Sequence, residues 1–126
     1  MLETKSLCFA GTATARSQTC LVSRMIGRAF VLRCITVRFP IGTQNNLAIE
    51  VWVSPDDEAP TSGDPTGVNV LQDYSQAAYL RGDGDQVVLV HSLRCPDAGN
   101  YVKVIGTNDD YYDHAIDVDV EIEVEA

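Results

Sequence analysis

The sequence predicts an all-β protein: one β-sandwich domain over residues 1–126, with about seven or eight antiparallel strands. Apolar and polar residues alternate along most of the chain, which is the period of a β-strand. Turn-forming clusters separate these segments, and 45% of the residues are hydrophobic, enough for one core. Because two stacked sheets bury both sets of apolar faces, a sandwich is favoured. Eight strands with one long crossing loop favour a jelly roll over the immunoglobulin-like arrangement that seven strands would indicate.

The first half of the chain supplies several extended segments. Residues 1–15 predict an extended N-terminal arm or an edge strand, with the strand pattern clearest from residue 6 onward. Residues 19–25 predict a moderate strand that turns at Gly27. Residues 47–53 alternate, so that one face is expected to carry Leu47, Ile49, Val51 and Val53.

Residues 29–39 are apolar at nearly every position. Such a run is typical of a central strand that is covered on both faces. Strict alternation would place Val31, Ile35 and Val37 on one face and Phe30, Leu32 and Cys34 on the other.

The second half begins with a segment that interrupts the strand pattern. Residues 54–67 hold three of the five prolines and predict a long surface loop, because proline cannot donate to a β-ladder. Residues 68–79 show near-helical spacing and predict a short helix. Residues 86–93, 101–106 and 114–125 complete the set of strands.

The net charge of −9 is unevenly distributed. Residues 1–50 hold six of the nine basic residues and two of the eighteen acids, and the remaining acids follow residue 50. Such a split fits an ordinary solvated protein, or an assembly in which a basic surface of one copy meets an acidic surface of the next. The acidic total argues against direct nucleic-acid binding, and no apolar run is long enough to predict a membrane span.

The final segment places five acids at alternate positions with five aliphatic residues between them. On a strand the acids would lie roughly 7 Å apart on one face, so the aliphatic face must point inward. The acids either protect an exposed sheet edge or pair with arginines, on an adjacent strand or on a neighbouring subunit. The candidate interface residues are Arg16, Arg24, Arg28, Arg33, Arg38, Asp117, Asp119, Glu121 and Glu123.

The sequence predicts no catalytic or cofactor-binding residue and therefore no enzyme. His91 and Ser92 would point to opposite faces of a strand, and His91 would lie roughly 13 Å from Cys95. The four cysteines lack metal-ligand spacing and are expected to be reduced and buried rather than disulfide-bonded. Asp109, Asp110 and Asp113 are candidate calcium ligands, although a solvated loop is the preferred interpretation.

The chain resembles the decoration or cement proteins of tailed-bacteriophage capsids. The resemblance lies in the small-residue segment 8–15, the series of strands, the loop 54–67 and the acidic final strand. It implies a non-enzymatic virion protein on the outer capsid surface, assembled in the host cytoplasm. Its partners would be the major capsid protein and copies of itself as a homo-oligomer, with the basic N-terminal half as a docking surface.

A second interpretation is a carbohydrate- or cell-surface-binding β-sandwich module, with or without a calcium requirement. Aromatic side chains stack on sugars and would supply the contacts. The candidates are Trp52, Tyr74, Tyr79, Tyr101, Tyr111 and Tyr112.

Overall fold

Nine antiparallel β-strands form two sheets in a computed structural model of the protein, which describes residues 2–58, 67–72, 78–97 and 99–125. These residues contain no helix, and the prediction of an all-β fold is confirmed. The strands are β1 (Leu2–Ala13), β2 (Ser17–Val22), β3 (Phe30–Arg38), β4 (Leu47–Ser54), β5 (Val68–Asn69), β6 (Leu80–Arg81), β7 (Gln86–Cys95), β8 (Tyr101–Asn108) and β9 (His114–Glu125).

The strand pairing is that of a jelly roll. Sheet A has the order β1-β9-β3-β7, and sheet B has the order β2-β8-β4-β5, with β6 also paired to β4. The pairs are nested: β1 with β9, β2 with β8, β3 with β7, and β4 with β5 and β6. The chain is therefore one long hairpin wound so that successive long strands alternate between the sheets, and the preference for a jelly roll is confirmed.

The core lies between the inner faces of the two sheets. On β4 the predicted aliphatic face is confirmed, since its four members are at most 6% exposed. Each such side chain contributes about 1.5–3 kcal/mol by leaving water. The aliphatic residues of β9 are likewise buried: Ile116, Val118, Val120, Ile122 and Val124.

The prediction that both faces of β3 are apolar and covered was wrong. The register shifts between Leu32 and Cys34, and Arg33 is the extra residue opposite β9. Such a β-bulge changes which side chains share a face. Only the inner face of β3 is fully buried, and it carries Phe30, Leu32, Ile35 and Val37.

Residues 68–72 form strand β5 and a turn, not the start of a helix. The Val70 amide donates to the Val51 carbonyl at 2.8 Å, and the Leu71 amide donates to Asn69 Oδ1 at 3.0 Å. Val70 and Leu71 then enter the core, and this burial against β4 overrides the helical spacing. The rest of the predicted helix at 73–77 and the loop at 59–66 lie outside the described residues.

The described residues contain no helix that is long and apolar enough to span a bilayer.

We expect Ile122→Ala to lower the free energy of unfolding by about 2–4 kcal/mol, because it leaves a cavity between the sheets. Ile122 is fully buried, whereas its neighbour Glu121 is exposed. Glu121→Ala is the control, and urea denaturation measures both. Equal unfolding midpoints for the two variants would contradict the inward orientation of the aliphatic face of β9.

Candidate functional site

The outer face of sheet A carries the acids of the final strand. We call the set Asp117, Asp119, Glu121, Glu123 and Glu125 the acidic column. Each member lies opposite a β1 residue in the antiparallel register, and those β1 residues carry no charge. They are Leu2, Thr4, Ser6, Cys8 and Ala10.

Arginines of β3 pair with the acidic column on its other side. Arg38 Nη1 lies 2.7 Å from Asp119 Oδ2 and 3.3 Å from Asp117 Oδ1. Arg33 Nη2 lies 3.3 Å from Glu123 Oε2, and its Nη1 donates to Ser92 Oγ at 3.2 Å. Part of the arginine excess is therefore matched within the molecule, on an adjacent strand.

The edge-protection interpretation of the acids was wrong. Strand β9 lies between β1 and β3, so its backbone is paired on both sides. The acids therefore do not protect an open edge, and they lie on an interior strand of the sheet face. Two arginines pair with these five carboxylates, and Arg94 of β7 lies on the same face, so the carboxylates still outnumber the cations there.

The Arg38–Asp119 contact has a direct electrostatic effect. The hydrogen bond from Arg38, followed by one from Cys8, lowers the pKa of Asp119. The same carboxylate raises the pKa of the Cys8 thiol, mainly through their hydrogen bond. Cys8 is exposed, but its neighbour disfavours the reactive thiolate.

An aliphatic strip runs beside the charged part of this face. Val88 lies opposite Thr36, and Val90 lies opposite Cys34. The two valines are 51% and 77% exposed, respectively. The outer face of sheet A thus combines an exposed aliphatic strip with an acidic column.

The remaining candidate arginines make other contacts. Arg16 donates to the Asp109 carbonyl at 2.8 Å and stacks over the Tyr111 ring at 5.3 Å. Arg28 donates to the Glu125 carbonyl at 3.0 Å, and Arg24 is exposed in the segment after β2. The structure therefore distributes the five arginines over several surfaces, and among the ion pairs of the described residues Arg33 and Arg38 are the two of this set that pair with carboxylates of the acidic column.

The three candidate calcium ligands each contact a different neighbour. Asp109 pairs with Arg81 at 3.4 Å, Asp110 pairs with His114 at 2.8 Å, and Asp113 accepts from the Ala15 amide at 2.8 Å. Among the described residues, no three His, Cys, Asp or Glu side chains are grouped to hold a metal. The hydrogen bond from His114 lowers the pKa of Asp110, and the backbone amide of Tyr111 adds to this effect.

His91 contacts backbone groups through both of its ring nitrogens. Its Nδ1 accepts from the Ser92 amide at 2.7 Å, and its Nε2 lies 3.2 Å from the Val70 carbonyl.

All four cysteines are free thiols, but only Cys95 is buried, so the prediction that all four are buried was wrong. Burial raises the pKa of Cys95 to about 11.

Lys103 is a buried contact that sequence reasoning missed. It lies on the outer face of sheet B, and its side chain is 1% exposed. Its Nζ donates to Asp56 Oδ1 at 2.7 Å and to the Glu58 carbonyl at 2.6 Å, which fastens residues 55–58 to the sheet. A lysine between apolar strand neighbours was the available signal, although it gives no indication of the partner.

Trp52 is opposite Lys103 in the register and is only 8% exposed, so it offers no face for a sugar. Among the described candidates of the carbohydrate interpretation, Tyr111 and Tyr112 are the most accessible, at 79% and 74% exposed, whereas Tyr79 and Tyr101 are half-buried. Tyr74 lies outside the described residues.

No protein-family model and no curated protein matches the chain. Among solved structures, the chain is similar to one from Bacillus endospore appendages, described as a novel family of disulfide-linked pili (TM-score 0.43, 11% identity, 98% of this chain and 87% of that chain). It is also similar to a chain of infectious bursal disease virus Gx strain (0.46, 6%, 100% and 32%) and of Tomato Aspermy Virus (0.44, 17%, 99% and 78%). TM-scores of 0.46 or less support no inference about function, and the jelly-roll assignment depends on the strand pairing.

We expect Asp56→Ala to destabilise the protein by about 1–3 kcal/mol, because it leaves the buried Lys103 ammonium without its carboxylate. Trp52 is the only tryptophan in the sequence and reports on the same region. Its fluorescence should shift to longer wavelength as residues 55–58 loosen. Asp57→Ala, at an exposed neighbouring acid, is the control, and identical unfolding curves for the two variants would refute this role of Lys103.

The Asp110–His114 contact should make stability depend on pH. The folded-state pKa of Asp110 is lowered, so its contribution is present above the unfolded pKa and is lost as the pH falls through the folded pKa. Asp110→Asn should therefore lower the melting temperature at pH 6, and the difference from the unmodified protein should shrink below about pH 4. A difference that persists unchanged at pH 3, or one equally produced by Asp85→Asn, would contradict this assignment.

Proposed function

We propose that this chain is a non-enzymatic structural protein that binds the outer surface of a viral capsid and stabilises the shell through subunit contacts. The observation that carries the proposal is the outer face of sheet A, where exposed valines of β7 and the acidic column of β9 lie on either side of β3. The sequence resemblance to capsid decoration proteins and the jelly-roll architecture also support it. The partners would be the major capsid protein and further copies of this chain.

The aliphatic strip supplies the apolar part of such a contact. Val88 and Val90 project from β7, whose pairing with β3 holds its backbone in place. Rigid side chains lose little conformational freedom on binding, and the burial of exposed aliphatic surface favours association. A protein surface with a matching apolar strip would therefore gain affinity here.

The negative charge of the acidic column favours a basic partner surface. Glu121 is exposed at the middle of the column, and Arg33 and Arg38 neutralise only part of the face. A basic partner surface would be attracted and oriented, whereas an acidic one would be repelled. The exposed Arg24 of a second copy and basic residues of the shell protein are both suitable partners.

The proposed place of action follows from the proposed partner. A protein that binds the finished shell would lie on the outside of the virion after assembly in the host cytoplasm. Four free thiols are compatible with that reducing compartment.

A carbohydrate-binding role is the second candidate, and one observation favours it. Tyr111 and Tyr112 are both largely exposed on the loop between β8 and β9, and Arg16 stacks over Tyr111. Exposed aromatic rings beside hydrogen-bonding side chains suit a sugar ligand. Binding to a glycan array that is lost in a Tyr111→Ala, Tyr112→Ala double variant would support this role over capsid binding.

We expect Val88→Glu to abolish or strongly reduce co-sedimentation with particles assembled from the major capsid protein of the same virus. The change removes part of the aliphatic strip and adds a carboxylate to the face that already carries the acidic column. Val68→Glu is the matched control, because Val68 is 53% exposed and lies on sheet B. Equal particle binding by both variants, with unchanged melting temperatures, would rule out sheet A as the docking face.

A further inference from the structure

A groove of about 310 Å³ opens beside strand β1. One wall is the stretch Ser6–Phe9 of β1, and the other is the segment 22–26, which follows β2. Ser23 and Ile26 donate backbone hydrogen bonds of 2.9 and 3.0 Å to carbonyls beside the start of β8. The second wall is therefore anchored to sheet B and does not depend on β1 for its position.

The groove exposes an unpaired side of the β1 backbone. Strand β1 lies at the edge of sheet A and pairs with β9 alone among the described strands. Alternate amides and carbonyls of an edge strand point away from its one partner. Towards the end of β1 this side is closed, because Leu21 packs 3.2 Å from where a Cβ would lie on Gly11, and the Thr19 hydroxyl donates to the Thr12 carbonyl at 3.4 Å.

The groove has an apolar floor and a basic rim. Leu7 and Ile26 pack against the hydrophobic core, and Phe9 is 5% exposed. The exposed rim carries Arg24 and Met25, and the exposed Lys5 immediately precedes the β1 wall in the sequence. Apolar side chains would therefore be accepted towards the floor, and carboxylates would be favoured along the rim.

We propose that this groove binds an extended segment of another protein, in which apolar residues alternate with acidic ones. The segment adds to β1 as a further strand of the four-stranded sheet A. An open edge is satisfied by another extended backbone, which a small molecule cannot supply along several residues. Strand β9 provides an internal precedent, since it has this alternation and pairs with the opposite edge of β1 from Leu2 to Ala13.

This site lies on the edge of sheet A, whereas the proposed capsid contact uses its outer face. The face proposal rests on the valines of β7 and the acidic column, and the edge proposal rests on the β1 backbone and the groove. Arg24 is named in both, but each proposal can fail alone because the two tests measure different partners. Particle co-sedimentation tests the face, and peptide binding tests the edge.

The test uses the full chain and a synthetic peptide with the sequence of residues 114–125, which has the required alternation. Amide chemical shifts of the isotope-labelled protein are followed by NMR as the peptide is added. We expect perturbations at residues 6–9 and 24–26. A second peptide, in which proline replaces the residues corresponding to Asp119 and Glu121, removes two backbone donors and should bind far more weakly.

Two exposed arginines provide matched charge reversals. Arg24→Glu should weaken binding of the first peptide by about tenfold, because it reverses the charge on the rim. Arg94→Glu makes the same change on β7, at the opposite edge of sheet A, and should alter the affinity by less than about twofold.

Several results would overturn the proposal. They are the absence of binding, equal binding of the proline peptide, and equal effects of Arg24→Glu and Arg94→Glu. Perturbation of Leu32 and Ile35 on β3 would indicate that the peptide had replaced β9 in the sheet, and would also overturn it.

Discussion

The two-faced character of strand β9 is the constraint on which the rest of this molecule depends. Its aliphatic residues are fully buried between the sheets, while its carboxylates line the outer face of sheet A. A shift of one residue against β1 or β3 would bring five acids into the core, which is energetically prohibitive. The alternation in β9 therefore specifies the register of both neighbouring strands. The same alternation places the acidic column on the outer face of sheet A.

The bulge at Arg33 reconciles β3 with that register. Without the extra residue, the aliphatic positions of β3 would divide between two faces, and Ile35 would leave the core. The bulge keeps the core side continuous and directs Arg33 outward to Glu123 and Ser92. A local irregularity thus completes the core and supplies one of the two cations that partly neutralise the acidic column.

The winding of the jelly roll separates the interaction surfaces. It places β1 and β2 at corresponding edges of the two sheets, where they meet near Gly11 and diverge towards the groove. On the outer face of sheet B, Lys103 fastens residues 55–58 beside Trp52, so that much of this sheet is covered by its own chain. The outer face of sheet A and the edge groove are consequently the surfaces most suited to partners.

Sequence pattern alone set the β period and the buried faces of β4 and β9, because strict alternation has only one low-energy arrangement against a core. The number of strands and the long loop favoured a jelly roll, and the strand pairing established it. Tertiary structure decided the rest. The bulge in β3, the strand at Val68–Asn69 in place of a helix, and the burial of Lys103 each depend on a partner distant in sequence. The dispersal of the arginines and of Asp109, Asp110 and Asp113 has the same origin, since residues close in sequence turn to different neighbours when the sheets pack. Local pattern contains no information about those neighbours, which is why it predicted the architecture better than the site.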